Sequence, residues 1–234
     1  MNKRRFIFLG LLFVILSSLG QSFQQYVIDV GDFNELQVID DINVVYKNNP
    51  DSVGFAVFSC KAEVVPALIF SNNKNKLKIE QNTDVILSDK SLPTVTVYSD
   101  FLQYVENSGD STVMIENPAP GPVFKTRVIG NGTIIAKNIH FTRTEGNLDT
   151  GKGHIVLSGV TRSFNFKNIG KGRIEASGLV AETGSIIIMG TGIIDCQVTD
   201  NLVVKGMGTG KVYVIGNPTI KKRALGSIRI VKVE

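Results

Sequence analysis

Tryptophan is absent from this 234-residue chain, cysteine and histidine occur twice each, and proline seven times. His140, His154, Cys60 and Cys196 form no His-x-x-x-His or Cys-x-x-Cys pair, so the sequence carries no metal signature, and neither a metal nor a cofactor is expected. Each histidine stands alone and reads as a surface residue. No Gly-x-Ser-x-Gly elbow and no phosphate loop is present. The Gly-x-Gly units open strands, whereas dinucleotide and phosphate loops open helices. A large charge of one sign is also missing. The formal net charge is +4, and Lys3, Arg4 and Arg5 supply three of those charges within a stretch that has no acid. Residues 23–234 therefore carry 4 − 3 = +1, and nothing global points to nucleic acid. The one dense basic cluster, Lys221-Lys222-Arg223, reads as a solvated turn. Helical periodicity is scarce: Cys60–Phe70 is the single possible helix, and Pro66 cuts it.

Glycine is plentiful, with 23 residues, and its placement is regular. Gly109 is followed by the pairs Gly130/Gly132, Gly151/Gly153, Gly170/Gly172, Gly190/Gly192 and Gly208/Gly210. Positions 109, 130, 151, 170, 190 and 208 are separated by 21, 21, 19, 20 and 18 residues. Such a period marks stacked units, none of which buries its apolar face alone. Two residues past each pair stand Ile134, Ile155, Ile174, Ile194 and Val212, and four past it Ala136, Leu157, Ala176, Cys196 and Val214. That alternation is a strand with one face inward. Further inward positions are expected at Ile139, Val160 and Leu179, and in Phe164-x-Phe166 and Ile186-x-Ile188. Thr199 breaks the pattern, so Val198 or Leu202 must fill that place. Both glycines of every pair are read as structural turns, where a sharp corner needs φ > 0 and stacked corners crowd. The predicted fold is all-β: a parallel β-helix with coils of about 20 residues, rungs about 4.8 Å apart and a strand-rich N-terminal cap. An antiparallel meander is the competing reading; the even spacing and constant apolar offset favour the helix.

Residues 1–22 have the pattern of a secretory signal peptide: a basic start, an apolar run from Phe6 to Leu16, then small residues. The run is short for a membrane span, although an uncleaved anchor is the alternative. Cleavage would place the protein in the periplasm, at the cell surface or in the medium, with no transmembrane span remaining. Residues 23–234 are expected to form one domain, with the cap over about 24–106 and the coils over about 107–234. Strands are predicted at Tyr26–Val30, Leu36–Ile39, Ile42–Tyr46, Val53–Ser59, Lys76–Glu80, Val85–Leu87 and Thr94–Tyr98. Cys196 shares an inward register with Ala136 and Leu157, which favours a buried thiol over a bridge to Cys60.

Ordered motifs then suggest a family. These are Phe33-Asn34-Glu35-Leu36-Gln37-Val38, Ile42-Asn43-Val44, Asn75-Lys76-Leu77-Lys78-Ile79, Thr94-Val95-Thr96-Val97, Leu102-Gln103-Tyr104-Val105 before Ser108-Gly109, the serial Gly-x-Gly turns, and Gly210–Pro218. Together they resemble the bacterial auto-transporter adhesin head GIN domain family, a domain of unknown function in exported proteins. The resemblance implies a right-handed β-helical body, export, and a surface or adhesive role; it supplies no catalytic residues. Leu225-Gly226-Ser227 departs from it, since a Gly-x-Gly is expected there.

One pair could carry chemistry. Glu175 and Asp195 lie between inward positions on neighbouring coils, so both should face outward about 5 Å apart. At that separation two carboxylates serve glycosidic cleavage or hold Ca²⁺; the plain alternative is two solvated charges relieved by Arg173 and Lys211. Thr133, Lys137, Arg143, Thr161, Asn165, Lys167, Arg173, Ser177, Lys205 and Tyr213 are expected on the outer faces. A long polar face of this kind suits shallow recognition of an extended glycan or protein, with Tyr213 as a stacking ring. The expected function is therefore non-catalytic surface binding of an unknown envelope or extracellular partner, the alternative being a polysaccharide-active enzyme using Glu175 and Asp195. An uncapped end of the helix would allow end-to-end self-association.

Overall fold

A computed structural model describes residues 23–87 and 91–233; the predicted signal peptide, residues 1–22, lies outside them. Period-2 alternation gives each strand one apolar edge, and these edges are buried by stacking. A single column of β-branched side chains shows this: Val95, Val44, Val113, Ile134, Ile155, Ile174, Ile194, Val212 and Ile230 are successive register partners. All but Ile230, in the last rung, are at most 1% exposed. Branching at Cβ restricts χ1 and fits a pleated surface packed on both sides.

The strands in chain order are β1 (Gln24–Asp29), β2 (Glu35–Val38), β3 (Val44–Lys47), β4 (Phe55–Cys60), β5 (Leu68–Asn73), β6 (Lys76–Gln81), β7 (Val95–Tyr98), β8 (Tyr104–Asn107), β9 (Thr112–Glu116), β10 (Gly121–Ile129), β11 (Thr133–Thr150), β12 (His154–Gly170), β13 (Arg173–Gly190), β14 (Ile193–Gly208), β15 (Lys211–Ile215), β16 (Thr219–Gly226) and β17 (Arg229–Val233). From β8 onward every pairing is parallel, so the chain is a β-solenoid.

The stack begins well before Asn107. β2 lies between β6 and β8, and β3 between β7 and β9, all parallel. The first rung of the chain is thus internal. Leu36 pairs with Leu77 and with Val105, partners 41 and 69 residues away. Capping falls to β1, β4 and β5, which run antiparallel: β5 to β6, β4 to β7 and β1 to β4. The expected helix over Cys60–Phe70 is a 3₁₀ turn at Ala62–Ala67 followed by β5, because Pro66 and the apolar run Leu68-Ile69-Phe70 favour extension. Val85–Leu87 is not a strand, and Ile86 is 95% exposed.

The reading of both glycines of each pair as turn residues is corrected for the second of each. The first glycines, Gly130, Gly151, Gly170, Gly190 and Gly208, have positive φ, with Gly190 at +126°. The second glycines, Gly132, Gly153, Gly172, Gly192 and Gly210, do not. They are buried residues past the corner, each standing immediately before the next strand. What they need is space. A Cβ on Gly132 would lie 2.6 Å from Asn107 Nδ2, and one on Gly153 would lie 2.6 Å from Val128 Cγ1. On Gly192 it would lie 2.3 Å from Asn168 Nδ2. The cause is the coil beneath, whose side chains and carbonyls already fill the place of a methyl. Corners are tied by backbone bonds such as Thr191 N–H to Gly170 O (3.0 Å) and Thr209 N–H to Gly190 O (3.0 Å). At the departing turn, Gly226 keeps a positive φ, Ser227 N–H still reaches Gly208 O (2.8 Å), and Ile228 is buried.

Two register expectations are also corrected. Gly159, not Val160, sits between Ile139 and Leu179; Val160 joins His140 and Val180 outside and is 52% exposed. The cause is a break in register after Ala136 and Val156, which resets the alternation. The same reset turns Thr161 inward, where it accepts from Thr144 Oγ1 at 3.1 Å. Phe166 pairs with Ile186. Phe164 faces Gly184, whose missing side chain makes room for its ring, and the two phenylalanines stack at 4.1 Å. Val198 and Leu202 are both buried, and Thr199 is exposed.

At the C-terminal end, β16 and β17 have no outer partner among the described residues. Their inward registers hold lysines: Lys222 beneath Val204, and Lys232 beneath Val214. Lys222 Nζ donates to Ile228 O (2.6 Å) and Lys232 Nζ to Asn217 Oδ1 (2.8 Å). Inward charges on a terminal strand oppose edge-to-edge pairing.

Candidate functional site

Glu175 and Asp195 are direct register partners on β13 and β14, with Tyr213 next in the column. Both point away from the core, but they differ in exposure. The Glu175 side chain is 43% exposed and that of Asp195 only 12%. Arg173, two residues before Glu175 on the same face, lies between them. Its Nε donates to Asp195 Oδ2 at 2.9 Å and lies 3.9 Å from Glu175 Oε2. His154 Nε2 is 3.5 Å from the same Glu175 oxygen. Burial raises the pKa of Asp195; Arg173 works against that rise and Glu175 adds to it. The carboxylates thus share the Arg173 guanidinium rather than flanking an empty slot, with the His154 ring beside Glu175. The recess beside them, about 450 Å³, includes Arg173, Asp195, Cys196 and Tyr213 in its lining.

Cys196 is fully buried, its thiol pushed up to about 12 by burial and by Asp195. Cys60 is buried too, and neither forms a disulfide. Among the described residues no three metal-ligating side chains gather, and no helix is long and apolar enough to cross a membrane.

A second site lies on the outer face of another sheet and was not legible in the sequence. The column Lys76, Glu35, Tyr104, Lys125, Glu145 runs across β6, β2, β8, β10 and β11. One step along, Glu106 is only 5% exposed despite facing outward. Buried carboxylates need partners, and Glu106 has four: Gln37 Nε2 (2.7 Å), Ser108 Oγ (3.0 Å), Tyr104 Oη (2.5 Å) and Arg127 Nη1 (3.3 Å) all donate to it. Burial pushes its pKa up, but the bonds from Tyr104, Ser108 and Gln37 and the Arg127 charge outweigh burial and hold it below 4.5. Arg127 is also anchored by Asp149 (Nε to Oδ2, 2.6 Å). Burial and then Glu106 raise the Tyr104 pKa, so the ring stays neutral and fixed at its hydroxyl. Lys76 Nζ lies 5.6 Å from the ring centroid. The recess here measures about 470 Å³. The only sequence trace was the alternation Gln103-Tyr104-Val105-Glu106; Gln37 and Arg127 come from segments 69 and 21 residues away.

A third recess, about 510 Å³, runs past His140, Val160 and Val180, with the Arg162–Glu182 pair (3.6 Å) beside them.

Three solved structures share this fold. A "putative adhesin" from Bacteroides fragilis aligns with a TM-score of 0.78 at 20% identity, covering 91% of this chain and 98% of its own. A "putative adhesin" from Parabacteroides distasonis gives 0.74 at 19%, covering 91% and 97%. A "putative lipid binding protein" from the same species gives 0.72 at 20%, also covering 91% and 97%. No curated protein matches the chain. The profile of one family matches residues 32–218, and the chain belongs to that family, described as "Putative auto-transporter adhesin, head GIN domain".

Proposed function

We propose that this is an exported, non-catalytic binding protein of the cell envelope that recognises an extended glycan or protein through the outer faces of its solenoid. Membership of the adhesin family supports the general role. The observation that carries the reading is the state of the polar groups on those faces. Arg173 lies against both Glu175 and Asp195, while open recesses of 450 to 510 Å³ line the outside of the stack. Free carboxylates flanking a substrate slot serve hydrolysis; ion-paired ones beside shallow recesses serve recognition by many small contacts.

The test is a binding screen of the purified full chain against glycans and matrix proteins, run beside a polysaccharide-cleavage assay. Binding without cleavage is expected. Cleavage that disappears in the Glu175→Ala/Asp195→Ala double variant would establish the enzyme instead.

A further inference from the structure

We infer that the recess around Tyr104 is a subsite for a neutral pyranose bearing vicinal hydroxyls. The inference rests on the surface-binding reading and names the ligand class for one place on it. Sugar recognition needs an apolar plate for the C–H face of a ring, with donors and acceptors at its rim. Tyr104 is a plate held in advance. Its hydroxyl is fixed to Glu106, and Glu106 is itself fixed by Gln37, Ser108 and Arg127. Two of the four donors to Glu106, Tyr104 and Arg127, line the recess. Removing a carboxylate from water on an outer face is costly, and here its effect is to hold a ring and a guanidinium still, so little order remains to be gained on binding.

The rim holds one donor and one acceptor without a fixed counter-ion. Lys76 and Glu35 are direct register neighbours, yet they make no ion pair among the described residues; the Lys76 ammonium lies over the Tyr104 ring instead, and a stacking sugar moves it aside to the rim. Lys125 and Arg127 are engaged by Glu145 and by Glu106 with Asp149. A vicinal diol gives one hydrogen bond and takes another, which matches Glu35 and Lys76. The charge balance decides between sugar classes. Glu35, Glu106, Glu145 and Asp149 stand against Lys76, Lys125, Arg127 and the Arg143 that shares Glu145, a sum of −4 + 4 = 0. A uronate or sulfated ring would gain no net attraction.

The experiment is a printed panel of neutral hexasaccharides (glucan, xylan, mannan and galactan) together with uronate and sulfated oligosaccharides, probed with the full chain. The best hit is then titrated calorimetrically against the variants. Neutral sugars should bind, and Tyr104→Ala should weaken the best hit at least tenfold. Tyr104→Phe, which keeps the plate, should lose less, and Glu35→Gln several-fold, while Thr191→Ala, at an exposed corner, should change nothing. The Glu35→Gln and Tyr104→Phe arms hold even if Tyr104→Ala unfolds, which a thermal melt reports. Preference for the anionic sugars, binding to none of the neutral ones, or full affinity in both Tyr104→Ala and Glu35→Gln would overturn the subsite. In those cases, binding to other glycans or to matrix proteins would leave the surface-binding reading intact; an empty screen against both would remove the two together.

Discussion

Replacing Gly192 by alanine tests the central packing claim, that the second glycine of a corner is there for space. The added methyl would lie 2.3 Å from Asn168 Nδ2, 2.5 Å from its Cγ and 2.6 Å from its Oδ1. All three are contacts that folded proteins do not tolerate, so the amide must move. Asn168 is fully buried, and its Nδ2 donates to Gly172 O at 2.7 Å. When it moves, Gly172 O keeps its bond from Ile193 N–H (3.1 Å), but the buried Asn168 amide loses its acceptor, at about 1–3 kcal/mol, and the forced repacking adds about 1–3 kcal/mol. A loss of about 2–6 kcal/mol follows from adding those two ranges. In an Asn168→Ala background the buried amide is gone and the space is open. The same substitution should then cost under about 1 kcal/mol, a coupling of about 1–3 kcal/mol or more. Urea unfolding of the four chains, followed by circular dichroism, measures the cycle. Thr191, the exposed middle residue of the corner, is the control, and its change to alanine should stay within about 0.5 kcal/mol. Additive effects of Gly192→Ala and Asn168→Ala would refute the steric reasoning.

The other predictions concern the core, the buried acid and the open end. Phe164→Ala, which removes one of the two stacked rings beside Gly184, should cost about 3–5 kcal/mol in the same unfolding assay. Glu106 has a lowered pKa, so its contribution is present above its ordinary value of 4.5 and is lost as pH falls through the lower folded value. Glu106→Gln should therefore lower the melting temperature at pH 7 by several degrees, for a loss of about 1–3 kcal/mol, and the gap should close in strong acid; a pH-independent gap would show that the charge is irrelevant. Lys222→Leu with Lys232→Val removes the inward charges at the terminal rung. Sedimentation should then show end-to-end species that the native chain does not form, and a native chain that already stacks would contradict the protective role of these lysines.

Much of the solenoid was readable because a repeat states its own register. Ile155, Ile174 and Ile194 recur at a constant offset from their glycine pairs, and they do lie in one column. The all-β class, the parallel rungs and the facing of Glu175 against Asp195 follow from that offset and from period-2 alternation. Alternation carries no memory across a bulge, however. Val160 and Thr161 lie on the faces opposite to those that alternation predicts, because the register breaks between Val156 and Ser158. Phe164 and Phe166 are both inward, as the alternation predicts; that Phe164 lies against Gly184, whose missing side chain leaves room for the ring, is decided by the fold. The glycines of a pair look equivalent too. Gly130 and Gly151 turn with positive φ, whereas Gly132 and Gly153 are small because Asn107 and Val128 of the coil below press on them.

The sequence by itself determined what is local and periodic: strand spacing, where the corners fall, and which positions bury β-branched side chains. Tertiary structure alone decided what depends on partners far apart in the chain. β2 entered between β6 and β8, and Gln37 and Arg127 converged on Glu106. A period constrains neighbours one coil apart, whereas a pairing across 69 residues is chosen by which exposed edge is free to take the strand, and no window along the chain contains that competition.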